Sequence, residues 1–215
     1  MRALETALPV RRFHSWHGKR NYEGLWWSST NRAHIPFESL LERQALLAFD
    51  FDPAVRAIAA QPLAFLWPAG VTGQRNHVPD FFLRLASGDG LLVDVRADSL
   101  IDEHANKQHE MCRLACDEVG WKYQVFKGIP KTRLDGLRWL AGFRYDRYAP
   151  EERVIQELLS SFRTPTPLGR GVDAAMEKTG LPRGLVLANT FHLLWTGTLT
   201  LNLDTRLSMN SEVSA

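Results

Sequence analysis

The chain has 215 residues, 45% of them hydrophobic and 23% charged, with a formal net charge of +2. This composition suits one or two folded domains and excludes a chain disordered throughout, while so small a net charge neither demands nor excludes a nucleic-acid partner. The apolar stretch 185–195 is too short for a membrane span and is broken by Asn189, Thr190 and His192, and no apolar leader stands at the N-terminus.

Residues 1–35 read as loop-rich and basic. Arg2, Arg11, Arg12, Lys19, Arg20 and Arg32 stand against Glu5 and Glu23, with His14, Trp16, His17, Tyr22, Trp26 and Trp27 interleaved. Such an arm is able to grip a phosphate backbone and stack on bases, which makes Arg11, Arg12, Lys19 and Arg20 candidate DNA contacts. The alternative is that Trp26 and Trp27 cover the core and the arginines are solvated. From Phe37 to Asp50, Phe37, Leu41, Ala45 and Ala48 form a helical stripe, with Glu38 and Glu42 one turn apart on a neighbouring face. Residues 61–67 read as a strand, followed by strands over 77–85 and 91–97 joined by the turn Ser87-Gly88-Asp89-Gly90. A helix is predicted over 102–118 with Gly120 as its terminator, then a strand over 121–126. This order gives a three-stranded meander and a last strand that, after a helical crossover, lies parallel to its neighbour.

A second unit is placed at 149–215, after a first folded unit at 36–148. Helices are read over 151–162, 171–178 and 182–195, a linker over 163–168, a small hairpin over 198–207 and a loose tail over 208–215. Helices, a tight turn and a hairpin resemble a winged helix-turn-helix. The third helix, however, is almost wholly apolar, with Arg183 and Asn189 as its base-reading candidates, which favours packing or partner binding over sequence reading.

The chemistry centres on three acids. Asp80 and Asp94 are placed near the same end of the 77–97 hairpin, and Glu42 lies on the preceding helix. Carboxylate oxygens on adjacent strands suit a hard divalent cation that neutralises phosphate charge and activates water. Asp94 lies in the apolar run LLVDV, where an unpaired carboxylate is costly and a metal or a base such as Arg96 relieves it. Cys112 and Cys116, at i and i+4 of one helix, read as buried reduced thiols suited to a reducing cytoplasm; a metal there needs more ligands, and His109 is the one near in sequence. His77 reads as a surface histidine, with phosphate contact as the alternative.

With P-D at Pro79-Asp80 and D-x-basic at Asp94–Arg96, the helix–three strands–helix–strand order resembles the PD-(D/E)xK restriction-endonuclease-like superfamily. FESLLERQALLAFDFDPAVRAIAAQPL, RNHVPDFF and LLVDVRA together resemble the nuclease domain of TnsA, the endonuclease subunit of Tn7-like transposases, over roughly residues 10–130. VLANTFHLLWTGTLTLNLDTRLS is similar to that family's winged-helix portion. The resemblance implies an α/β fold with an αβββαβ core and a winged-helix-like C-terminal unit. It implies a Mg²⁺-dependent (or Mn²⁺-dependent) endonuclease that nicks the 5′ ends of a transposon beside a DDE transposase (TnsB-like) and an AAA+ ATPase regulator (TnsC-like). Carried over, Glu42 matches the helix glutamate, with Glu38 one turn away as fallback. Asp80 matches the P-D aspartate and Asp94 the second acidic position. Arg96 stands where the family has lysine; it keeps the charge but gives up no proton. Lys107, then Lys122, are the substitutes. A weakened nuclease serving DNA binding or assembly, and a defence or repair nuclease on the same fold, are the alternatives.

Overall fold

A computed structural model describes residues 3–11, 22–67 and 76–215. It is a mixed α/β protein that divides into two compact units, 1–128 and 129–215. The boundary lies about twenty residues earlier than the predicted one, because α3 (Lys131–Leu140) packs with the helices that follow it.

In the first unit, β1 (Gly24–Ser28) and β2 (Ala33–Phe37) form an antiparallel hairpin. This segment was expected to be loop. Trp26, Ile35 and Phe37 face the core, so the tryptophan-covers-core reading holds for Trp26. Asp50 fastens the hairpin. Its carboxylate accepts from Trp26 Nε1 at 3.1 Å, Ser28 Oγ at 2.7 Å, Ser29 N at 3.1 Å and Thr30 N at 2.9 Å. Helix α1 (Leu40–Phe51) begins at Ser39, whose hydroxyl accepts from Glu42 N at 3.1 Å. Phe37, assigned by its spacing to the helix, ends β2 instead.

The main sheet holds β3 (Val55–Ala60), β4 (Phe81–Leu85), β5 (Gly90–Val95) and β6 (Lys122–Phe126) in that order. β3–β4 and β4–β5 are antiparallel and β5–β6 parallel, the topology expected. The first strand, however, is the alanine-rich 55–60 and not 61–67, where the ladder is reduced to one bridge between Phe65 and His77. Helix α2 (Glu103–Glu118) starts at Asp102, which accepts from Ala105 N at 2.7 Å, and Gly120 follows it at φ +73°. The two helices cover opposite sheet faces. Phe49 of α1 meets the rings of Phe81 and Phe126 at 5.8 and 5.9 Å, while Cys116 of α2 joins Phe82, Leu92, Trp121 and Tyr123 on the other side. The alternation of Phe81 with Phe82 requires this division.

The second unit runs α3, α4 (Glu152–Ser161), β7 (Thr166–Pro167), α5 (Leu168–Thr179), α6 (Arg183–Trp195), β8 (Thr200–Leu201) and β9 (Glu212–Ser214). Gly180, left-handed at φ +70°, closes α5. The strands pair β7-β9-β8. The expected hairpin within 198–207 is therefore replaced by pairing of β8 with the tail, and the tail is ordered because Val213 is buried between β7 and β8. Phe162, Leu168, Val172, Val186, Leu194 and Val213 form much of this core.

Candidate functional site

Asp80 ends the run-in to β4, where the β4–β5 backbone ladder stops at Phe81. Its Oδ2 accepts from Val95 N at 2.7 Å, so the side chain continues the pairing that the backbone has left. Asp80 is partly buried, and its carboxyl is pushed up to about 8. Desolvation is the main cause and the Glu42 charge comes next, opposed by the Val95 N–H, with Asp94 adding to the rise and Arg11 lowering it.

Glu42 is 9% exposed and locked by its own helix start. Oε2 accepts from Glu38 N at 2.7 Å and Oε1 from Ser39 Oγ at 2.8 Å, the reciprocal partner of the Ser39 cap. Burial raises its pKa, against the hydrogen bonds from Glu38 N and Ser39. Around this pair lies a polar frame. Arg11 donates through Nε to Gln61 Oε1 at 2.9 Å and through Nη2 to Glu38 Oε2, which also accepts from Gln61 Nε2 at 2.9 Å. Gln61 is 1% exposed, holds φ +47° and donates its backbone N–H to the Asp80 carbonyl at 2.9 Å. A buried non-glycine residue in the left-handed region is a strained position that the surroundings must hold.

Asp94 belongs to a different cluster. It follows Leu92 on the α2 face of β5, whereas Glu42 comes from the helix on the opposite face. His77 Nε2 is 2.9 Å from both Asp94 oxygens, and the Tyr123 hydroxyl donates to Oδ2. Asp94 is 3% exposed. Among the described residues, His77, Asp94 and Cys112 form a group whose potential ligand atoms all lie within 4.8 Å of one another; Asp80 and Glu42 are not in it. Asp80 thus feels the charge of both Glu42 and Asp94, while Asp94 is hydrogen-bonded to His77 and Tyr123.

The expected cations divide as well. Arg96 donates through Nε to the Leu100 carbonyl at 2.8 Å. Lys107 pairs with Glu103 on the exposed face of α2 at 2.8 Å, and Lys122 pairs with Asp89 at the hairpin end at 3.3 Å. Arg11 is the cation whose field reaches both Asp80 and Glu42. Arg12, Lys19 and Arg20 lie outside the described residues. Cys112 and Cys116 are free and buried, as expected. Sequence reasoning missed the partnership of His77 and Tyr123 with Asp94, and the place of Arg11 and Gln61 beside Asp80. A residue preceding P-D by two or three positions was the available signal for His77.

No protein-family model matches this chain, and no curated protein matches it. Among the described residues, no helix is long and apolar enough to cross a membrane.

Proposed function

We propose that the chain is a metal-dependent DNA endonuclease subunit of a Tn7-like, TnsA-type transposase, acting with a DDE transposase and an AAA+ ATPase. The observation that carries the reading is the helix–three strands–helix–strand framework with Asp80 held by the Val95 N–H at the end of the β4–β5 ladder, within the charge of Glu42 and Asp94. A carboxyl raised by burial and by the charges of Glu42 and Asp94 is poorly placed unless a cation offsets them. Their hard oxygen donors suit Mg²⁺ or Mn²⁺. Asp80 and Glu42 are the residues that would hold it, with Asp94 contributing charge from the adjoining cluster. Such an ion supplies phosphate charge neutralisation and a more acidic bound water.

The remaining roles fall to the chain. Ser39 and the Glu38 N–H fix the Glu42 carboxylate, the Val95 N–H fixes that of Asp80, and Gln61 ties the Asp80 backbone to the Arg11–Glu38 pair. Arg11 is half-exposed and offers a permanent positive charge where a scissile phosphate meets the acids, the part the family gives to lysine. From α4 onward the second unit has the order of a winged helix, with one strand after α4 and two after α6. Helix α6 is not free to read bases: Arg183 pairs with Asp173 at 2.7 Å, and Asn189 is buried, donating to the Tyr148 carbonyl at 2.9 Å. We assign this unit to packing or to a protein partner.

The placement of Arg96 and Lys107 away from the Asp80–Glu42 pair favours one alternative, a nuclease-fold subunit that assembles without cutting. Nicking of transposon-end DNA by the full chain with its transposase and ATPase partners, in Mg²⁺ or Mn²⁺, separates the two. The endonuclease reading expects nicks that disappear in Asp80→Asn and Glu42→Gln. Wild-type cutting by Asp80→Asn overturns it, and complexes that assemble on DNA but leave it uncut establish the alternative.

A further inference from the structure

We propose that His77, Asp94 and Cys112 form a second metal site on the α2 side of the sheet, one that takes a borderline-soft transition ion, zinc above all. The three residues come from separate segments, the approach to β4, β5 itself and α2. Their donor atoms nevertheless lie within 4.8 Å of one another. Tetrahedral zinc, with bonds of about 2.0 Å to nitrogen or oxygen and about 2.3 Å to sulfur, sets its ligand atoms about 3.3–3.6 Å apart. The group is therefore close to binding geometry and needs closing by little more than about one ångström at its widest.

The donors select the ion. One imidazole, one carboxylate and one thiol suit zinc and exclude magnesium, which wants oxygen alone. Cys112 is fully buried. Asp94 already has an outer partner, since the Tyr123 hydroxyl donates to its Oδ2. Hydrogen bonds of this kind orient metal-binding carboxylates. His109 lies one turn before Cys112, in the field of Asp94 and His77, with its ring 6.2 Å from that of Tyr123. A hollow of 420 Å³ whose lining includes Asn106, His109, Tyr123 and Lys127 lies on the side of Tyr123 and His109. Neither Asp80 nor Glu42 belongs to the site, which meets the nuclease reading at Asp94 alone, through its charge on Asp80.

The test is titration of the reduced full chain with Co²⁺, then with Zn²⁺. The expected result is one Co²⁺ per chain with thiolate-to-cobalt charge-transfer absorption, displaced by Zn²⁺ and untouched by excess Mg²⁺. Cys112→Ser removes the band and weakens Zn²⁺ binding by more than about tenfold, and Tyr123→Phe weakens it by about tenfold through the lost outer hydrogen bond. Cys116→Ser and Asp80→Asn keep the band. His77→Gln, on a partly exposed residue, gives a second loss should Cys112→Ser fail to fold. A missing band in the wild type, a band that survives His77→Gln, or one that needs Cys116 overturns the proposal.

Discussion

Replacing Asp80 by asparagine removes a carboxyl whose ionised form the fold disfavours, and the effect has a definite sign with pH. The Asp80 carboxyl is raised from its ordinary 3.8 to about 8, mainly by desolvation. Between those values the folded state holds a proton that the unfolded state has released. The contribution to stability is therefore fully present below about pH 4 and lost as pH rises through about 8. From 3.8 to neutrality, at about 1.4 kcal/mol per pH unit, the penalty reaches a ceiling of about 4 kcal/mol. Asp80 is only partly buried, so solvent lowers that figure, and a gain of about 1–2 kcal/mol at neutral pH is expected for Asp80→Asn. Asparagine keeps the bond from Val95 N, because its amide oxygen still accepts. Urea denaturation of both proteins at about pH 5, 7 and 8.5 measures the difference, which should grow with pH. Saturating Mg²⁺ should reverse the order by stabilising the wild type alone. A variant less stable than the wild type at every pH, or a gap that does not change with pH, would refute the reasoning.

Other predictions follow from particular contacts. Asp50→Ala leaves four donors of the β1–β2 hairpin without their acceptor and should cost about 3 kcal/mol or more, read by chemical denaturation. Gly171→Ala places a Cβ 2.1 Å from the buried Phe162 ring and should cost about 2 kcal/mol or more, seen as a lower Tm. In the nicking reaction with partners, Arg11→Ala should lower the rate by on the order of tenfold or more, since its charge faces the acids. Arg96→Ala should change it by less than about threefold, because that guanidinium serves the Leu100 carbonyl.

Much of the sheet was legible. The turn at 87–90, the capped α2 and the alternation of 122–126 each carry a local signal that survives folding. β3 was not legible because VRAIAA has little strand propensity, while the aromatic QPLAFLW beside it has more; pairing with β4 decided the matter. Asp80, Asp94 and Glu42 were expected to gather, and Asp80 feels the charge of the other two. The face of Asp94 was hidden for a physical reason. LLVDV is apolar on both sides of the strand, so it shows no alternation from which to read which layer each residue meets. The contact of His77 with Asp94 crosses the hairpin, and Cys112 reaches the same point from α2, so no local spacing announces either. The tail looked loose for the same reason: Val213 is an isolated apolar residue, and only its long-range pairing with Thr166 and Leu201 orders it.

The most direct test of the central claim is calorimetric titration of Mg²⁺ into the full chain bound to duplex DNA, in a Cys112→Ser background that silences the softer site. The account predicts binding in that background that disappears in Asp80→Asn and weakens in Glu42→Gln. Magnesium binding that persists undiminished in Asp80→Asn, or no binding at millimolar Mg²⁺, would contradict it.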